Sequence, residues 1–130
     1  MIIDDDKFLL NMYVVKFKNI GYEVDSSVSA MEAIDKLKNG LKPDIIICDL
    51  IMPGLDGFDF LKMVKKDKLA EKGVFVMLTN QGQSADIEKA VGLGVDGYIV
   101  KATTIPSEVV EEVKSIYDKR SKETKDFSER

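Results

Sequence analysis

A chain of 130 residues, 45% hydrophobic and 32% charged, is long enough for one domain with a substantial core and has the balance of a folded protein rather than a disordered one. A formal net charge of −4 without any block of basic residues argues against direct nucleic-acid contact by this domain. With no histidine and a single cysteine, Cys48, the chain cannot use Ser-His-Asp or Cys-His catalysis, a phosphohistidine carrier, the usual His-containing zinc sites or a disulfide framework.

In chain order, Met1 to Ile3 form a short apolar strand that runs straight into Asp4, Asp5 and Asp6. This start is unlike a signal peptide, and no apolar run approaches the ~20 residues that span a bilayer, so a cytoplasmic domain with no membrane contact is expected. Adjacent carboxylates repel one another, and at a partly buried site they need a proton, an opposite charge or a metal. From Lys7 to Ile20 the residues Phe8, Leu9, Met12, Val15, Phe17 and Ile20 recur at helical spacing, with Asp6 as N-cap and Gly21 at the C-terminal stop. An extended stretch over Glu23 to Ser26 follows, and Ser29-Ala30-Met31-Glu32 reads as a capping box opening a helix that ends near Gly40.

After Pro43, the run Ile45-Ile46-Ile47-Cys48 predicts a strand covered on both faces, as in a parallel sheet, with Cys48 a small core residue. The pattern then repeats. A helix is predicted from Phe58 to Lys66, a strand from Val74 to Leu78, a helix from about Ser84 to Leu93 and a strand from Tyr98 to Val100. The last helix opens at Pro106 and runs to about Lys119. Residues 120–130 are polar and are expected to form a disordered tail or the start of a linker, leaving one domain over residues 1–119.

Strict alternation of five strands with five helices predicts an open, doubly wound parallel α/β sheet, in which ligands sit beyond the carboxyl ends of the strands at the switch in strand order. Asp4, Asp5, Asp49, Thr79 and Lys101 each follow an apolar strand and meet at that edge. Singly, each is as well explained as a loop solvator or a cap. Together they make a cup of three carboxylates with a hydroxyl and an ammonium at its rim. Such a cup suits a hard divalent cation, Mg²⁺ above all, that arrives with a phosphoryl group. An aspartate can attack phosphorus to give an acyl phosphate, and the ammonium and hydroxyl can meet the charge on the equatorial oxygens.

Over about residues 1–119 the sequence resembles the receiver domains of bacterial two-component response regulators. The resemblance is carried by IIDDDK, CDLIMPGLDG around Asp49, VMLTN ending near Thr79 and GYIVK ending at Lys101, in that order and at the family's spacing. It implies a flavodoxin-like fold with strand order 2-1-3-4-5. It also implies that Asp49 is the phosphoacceptor, that Asp4, Asp5, Asp49 and the backbone carbonyl of Ile51 hold Mg²⁺ with Asp5 a direct ligand, that Thr79 and Tyr98 are a switch pair, and that Lys101 is the counter-charge of the phosphate. The partners it implies are a histidine kinase or phosphotransfer protein and a downstream protein target, with phosphorylation-dependent dimerisation as a further expectation. The role is regulatory rather than that of an enzyme.

Three features depart from the family pattern. Ala102 stands where proline usually follows the lysine, so the Lys101–Ala102 peptide is expected to be trans, with the flexible Lys101 side chain still reaching the acids. The first strand is short, and Asn80 stands where a small residue is commoner. From the residues alone, Tyr98 reads equally as a core aromatic at the sheet edge. Two other functions fit parts of the pattern. A receiver-like interaction module that is never phosphorylated would keep the fold. A Mg²⁺-dependent aspartyl phosphatase would usually carry a second aspartate two positions after its nucleophile, where this chain has Ile51.

Overall fold

The computed structural model describes residues 1–80 and 84–128. The elements in order are β1 (Ile2–Ile3), α1 (Lys7–Asn19), β2 (Ser26–Ser27), α2 (Ala30–Lys38), β3 (Ile45–Asp49), α3 (Gly57–Lys66), β4 (Val74–Thr79), α4 (Ser84–Gly92), β5 (Gly97–Val100), a 3₁₀ turn (Lys101–Thr103) and α5 (Pro106–Ser128). The five strands form one parallel sheet in the order β2-β1-β3-β4-β5, as the flavodoxin-like pattern predicts.

Side chains alternate across each strand, and both faces of the sheet are buried, which is why the central strands read as unbroken apolar runs. Ile3, Ile46, Cys48, Phe75 and Met77 pack with Ala33, Ile34, Phe60 and Leu61 of α2 and α3. Ile2, Ile45, Ile47, Val76, Leu78 and Ile99 pack with Leu10, Tyr13 and Phe17 of α1 and Val109 and Val113 of α5. Cys48 is fully buried, as expected of a core residue, and burial pushes its thiol well above the ordinary range.

Local signals set most helix ends. The Asp6 carboxylate accepts from the backbone N–H groups of Phe8 and Leu9 at 3.0 and 3.1 Å, and Gly21 takes φ +97° beyond the C-cap of α1. At α2 the Ser29 hydroxyl accepts from Glu32 N–H at 3.2 Å, but Glu32 accepts from Val28 N–H at 3.3 Å rather than from the cap residue, so only half of the predicted box forms. The reciprocal box belongs to α3, between Asp56 and Asp59.

Three expectations are corrected. The buried stripe of α1 is Leu10, Tyr13 and Phe17, whereas Phe8, Val15 and Ile20 of the predicted stripe are exposed. Apolar residues surround this helix, so periodicity alone does not choose a face. The second strand is Ser26–Ser27 rather than Glu23 to Ser26, because β1 offers only Ile2 and Ile3 to pair with it. The last helix does not stop near Lys119. It continues to Ser128 through good helix formers with no glycine or proline to end it, and Arg120 donates to Asp96 at 2.8 Å. Asp96 also accepts from Phe75 N–H, so the extended helix is tied to the base of β4 and β5.

The turn from β3 into α3 admits no side chain at Gly57. A Cβ there would lie 2.7 Å from the Asp49 carbonyl oxygen and 2.9 Å from Leu50 Cα, both backbone atoms. Gly57→Ala should therefore destabilise the fold by about 1–3 kcal/mol. Gly92→Ala, at a helical position facing open space, should be neutral or stabilising. Urea unfolding of both variants checks this contrast; equal midpoints would contradict it.

Candidate functional site

The strand register brings the strand-end residues together. Ile3 pairs with Cys48, so Asp4 and Asp49 follow side by side at the ends of β1 and β3, the point where strand order switches. Asp49 pairs with Leu78, which puts Thr79 one step above, and Thr79 pairs with Val100, which delivers Lys101 at the same edge. Asp4, Asp49 and Thr79 are all buried; Asp5 is exposed at the rim.

Asp4 is held from both sides. One carboxylate oxygen accepts from Asp6 N–H at 2.9 Å and the other takes the Lys101 ammonium at 2.6 Å. The same ammonium lies 3.3 Å from Asp49 Oδ2. The expectation that Lys101 enters the acidic cup is met across a trans peptide to Ala102, and its shorter contact is with Asp4 rather than Asp49. Charge-assisted bonds of this length are strong, and removing one member of such a buried set strands the other.

Asp4, Asp5 and Asp49 each bring a carboxylate oxygen to within 4.8 Å of the others. At Asp49 burial has the largest effect. Burial pushes its carboxyl up to about 6 against the pull of Lys101, with Asp4 adding to the rise. Burial would lower the pKa of Lys101, but the Asp4 hydrogen bond and the Asp49 and Asp4 charges outweigh it and hold the ammonium above its ordinary value. The donor set is all hard oxygen, two carboxylates buried and one open to solvent, which fits a small hard divalent cation such as Mg²⁺.

Ile51 and Tyr98 lie in the neighbouring loop and strand. Ile51 follows Asp49 by two residues in the β3–α3 loop, with its side chain exposed. That loop is anchored where Leu50 N–H donates to Leu78 and Gly57 N–H donates to Leu50, each at 2.7 Å. Tyr98 is half-buried, on the same sheet face as Met77, and packs against the α2–α3 core. Tyr13 of α1 is a core aromatic that the sequence alone does not single out. It is buried on α1, its pKa is raised first by burial, and the charges acting on it are Lys101, Asp4, Asp49 and Asp6.

Comparison with known proteins places this arrangement. The model of the response regulator receiver domain matches residues 1–114. The response regulator SaeR of Staphylococcus aureus is 32% identical over 122 residues, covering 94% of this chain and 51% of that protein, so the chain spans about half the length of this curated relative. Among solved structures, a putative response regulator from Chloroflexus aurantiacus is 33% identical with a TM-score of 0.79, covering 90% of this chain and 94% of that one. A CheY-like receiver domain protein from Methanospirillum hungatei is 25% identical with a TM-score of 0.82, covering 94% of each chain.

The raised pKa of Asp49 makes its charge a measurable liability. Folding tightens its hold on a proton, so stability is lost as pH rises from about 4 through about 6, and the ionised carboxylate remains costly above that window. Without metal, in EDTA, Asp49→Asn should stabilise the fold at pH 7.5 by about 1–3 kcal/mol. The gain should vanish below pH 4. Denaturant curves for both proteins across pH 4–8 test this, and a variant less stable at pH 7.5 would contradict the assignment.

Proposed function

The chain belongs to the response regulator receiver domain family, and on that premise we propose that it is a phosphorylation-controlled switch that accepts a phosphoryl group on Asp49 from a histidine kinase or phosphotransfer protein. The observation that carries the reading is the buried Asp49 carboxylate, held near neutrality in its pKa, beside Asp4, Asp5 and Lys101. An Asp49 oxygen attacks phosphorus, the O–P bond forms as the donor's N–P bond breaks, and the leaving imidazole keeps the electron pair and takes a proton from water. Held by Asp4, Asp5, Asp49 and the carbonyl of Ile51, Mg²⁺ would neutralise charge on the phosphoryl oxygens.

Lys101 then moves from Asp49 to a phosphoryl oxygen, because phosphorylation removes the carboxylate charge that held it and places new negative charge next to it. The Thr79 hydroxyl, one step above Asp49 in the sheet register, donates to another oxygen. Its displacement opens space for Tyr98 to turn inward, and the surface of α4, β5 and α5 changes shape as a two-state element biased by a few kcal/mol. Dimerisation through the altered surface, or docking of a protein target, is the output. The role is regulatory, with at most self-phosphorylation from small donors and self-dephosphorylation, and the setting is cytoplasmic. Residues 1–119 act as the receiver, with the remainder of the chain a tail or the start of a linker.

Incubation with acetyl phosphate and Mg²⁺ followed by intact-mass measurement should add one phosphoryl group to the wild type and none to Asp49→Asn. Equal labelling of the two would refute the acceptor. In calorimetric titration, Asp5→Asn should weaken Mg²⁺ binding at least ~10-fold, in line with loss of a direct charged ligand. Unchanged affinity would remove Asp5 from the metal site.

A further inference from the structure

Helix α4 is held to the rest of the fold by little. Among its described residues Ala90 is the buried one, whereas α1, α2, α3 and α5 each bury three or more. Glu88, Lys89 and Val91 around it are exposed. A surface helix is fixed by its buried face, and one methyl group is too small a face to set where a helix sits. A second tie joins α4 to α3. The Lys89 ammonium lies 4.4 Å from the centre of the Phe58 ring, within the range of a cation–π contact. Phe58 is only 6% exposed and shares a core cluster with Phe60, Leu61, Met77 and Ala90, so the ring is a fixed platform. Farther along, the Lys65 ammonium of α3 reaches the Gly94 carbonyl just past α4, at a long 3.5 Å.

There is no slack between Phe58 and Asp49. Gly57 N–H donates at 2.7 Å to the carbonyl of Leu50, the residue after Asp49, and a Cβ at Gly57 would lie 2.7 Å from the Asp49 carbonyl oxygen and 2.8 Å from Met77 Sδ. Asp56 and Asp59 then fix the first turn of α3 in a capping box. A shift of the backbone beside Asp49 is therefore passed to the Phe58 ring, and movement of α4 against α3 parts that ring from the ammonium. We propose that Lys89 is a positioning residue, a latch that seats α4 on the Phe58 ring in the unphosphorylated state and opposes the movement of α4. The inference rests on the proposed acceptor role of Asp49 and on the part of α4 in the changing surface. Methionine would cover the ring with a similar apolar stem, so the charge is what a variant can isolate.

The test uses the full chain with Lys89→Met, which removes the charge, Lys89→Arg, which keeps it, Phe58→Leu, which removes the ring, and the Lys89→Met/Phe58→Leu double variant. Amide hydrogen exchange read by mass spectrometry follows the opening of α4, and calorimetry follows binding of beryllium fluoride with Mg²⁺ as a phosphoryl mimic. Losing a cation–π contact at an exposed site should speed α4 exchange in Lys89→Met by about two- to fivefold. Because the latch favours the resting state, the same variant should bind beryllium fluoride about two- to fivefold more tightly. Lys89→Arg should keep both readouts within about twofold of the wild type. In the Phe58→Leu background, Lys89→Met should change either readout by less than about twofold, since the effect runs through the ring. Unchanged α4 exchange in Lys89→Met, unchanged or weaker beryllium fluoride binding, or equal effects with and without the Phe58 ring would overturn the latch while leaving the acceptor reading intact. A wild type that neither binds beryllium fluoride nor takes a phosphoryl group from acetyl phosphate would overturn both.

Discussion

The structure turns on a charge imbalance. Among the described residues, three carboxylates converge at the carboxyl end of the sheet around the ammonium of Lys101, which sits 2.6 Å from Asp4 and 3.3 Å from Asp49. In a buried setting such an excess of like charge costs stability, and it persists here because the surrounding sheet is strong enough to hold it. Burial, with Asp4 and Asp5 adding to it, pushes the Asp49 carboxyl up to about 6 against the pull of Lys101. A proton or divalent cation that neutralised this edge would meet carboxylates already brought together by the strand register.

The rest of the fold explains how that edge is held open. The two apolar faces of the sheet bury β1, β3 and β4 throughout, and the strand register sets where their ends lie. Leu50 is bonded to Leu78 immediately beyond Asp49, and Gly57 returns the chain to Leu50, which keeps the β3–α3 loop close to the acids. Lys89 of α4 lies 4.4 Å over the ring of Phe58 in the first turn of α3. That contact links the loop beside Asp49 to α4, one element of the surface proposed to change.

Much of this is readable from the sequence, for identifiable reasons. The parallel sheet is legible in the unbroken runs of β3 and β4, and Asp49, Thr79 and Lys101 are legible because each is a polar residue closing such a run. The face of α1 is not, since Phe8, Val15 and Ile20 are as apolar as the Leu10 and Phe17 that are buried. Composition suggested an early end to α5, but Arg120 finds Asp96 and the helix goes on. The preference of Lys101 for Asp4 depends on three-dimensional geometry that no local pattern encodes.

If the acidic edge serves phosphoryl transfer, Asp49 forms an acyl phosphate, and that bond can be trapped chemically. Borohydride reduces an acyl phosphate to an alcohol, so protein treated with a phosphoryl donor and Mg²⁺ and then reduced should carry homoserine in place of aspartate at one position. Peptide sequencing by mass spectrometry is predicted to find homoserine at position 49. Homoserine at position 4 or 5, or at none of the aspartates of a labelled protein, would contradict the account.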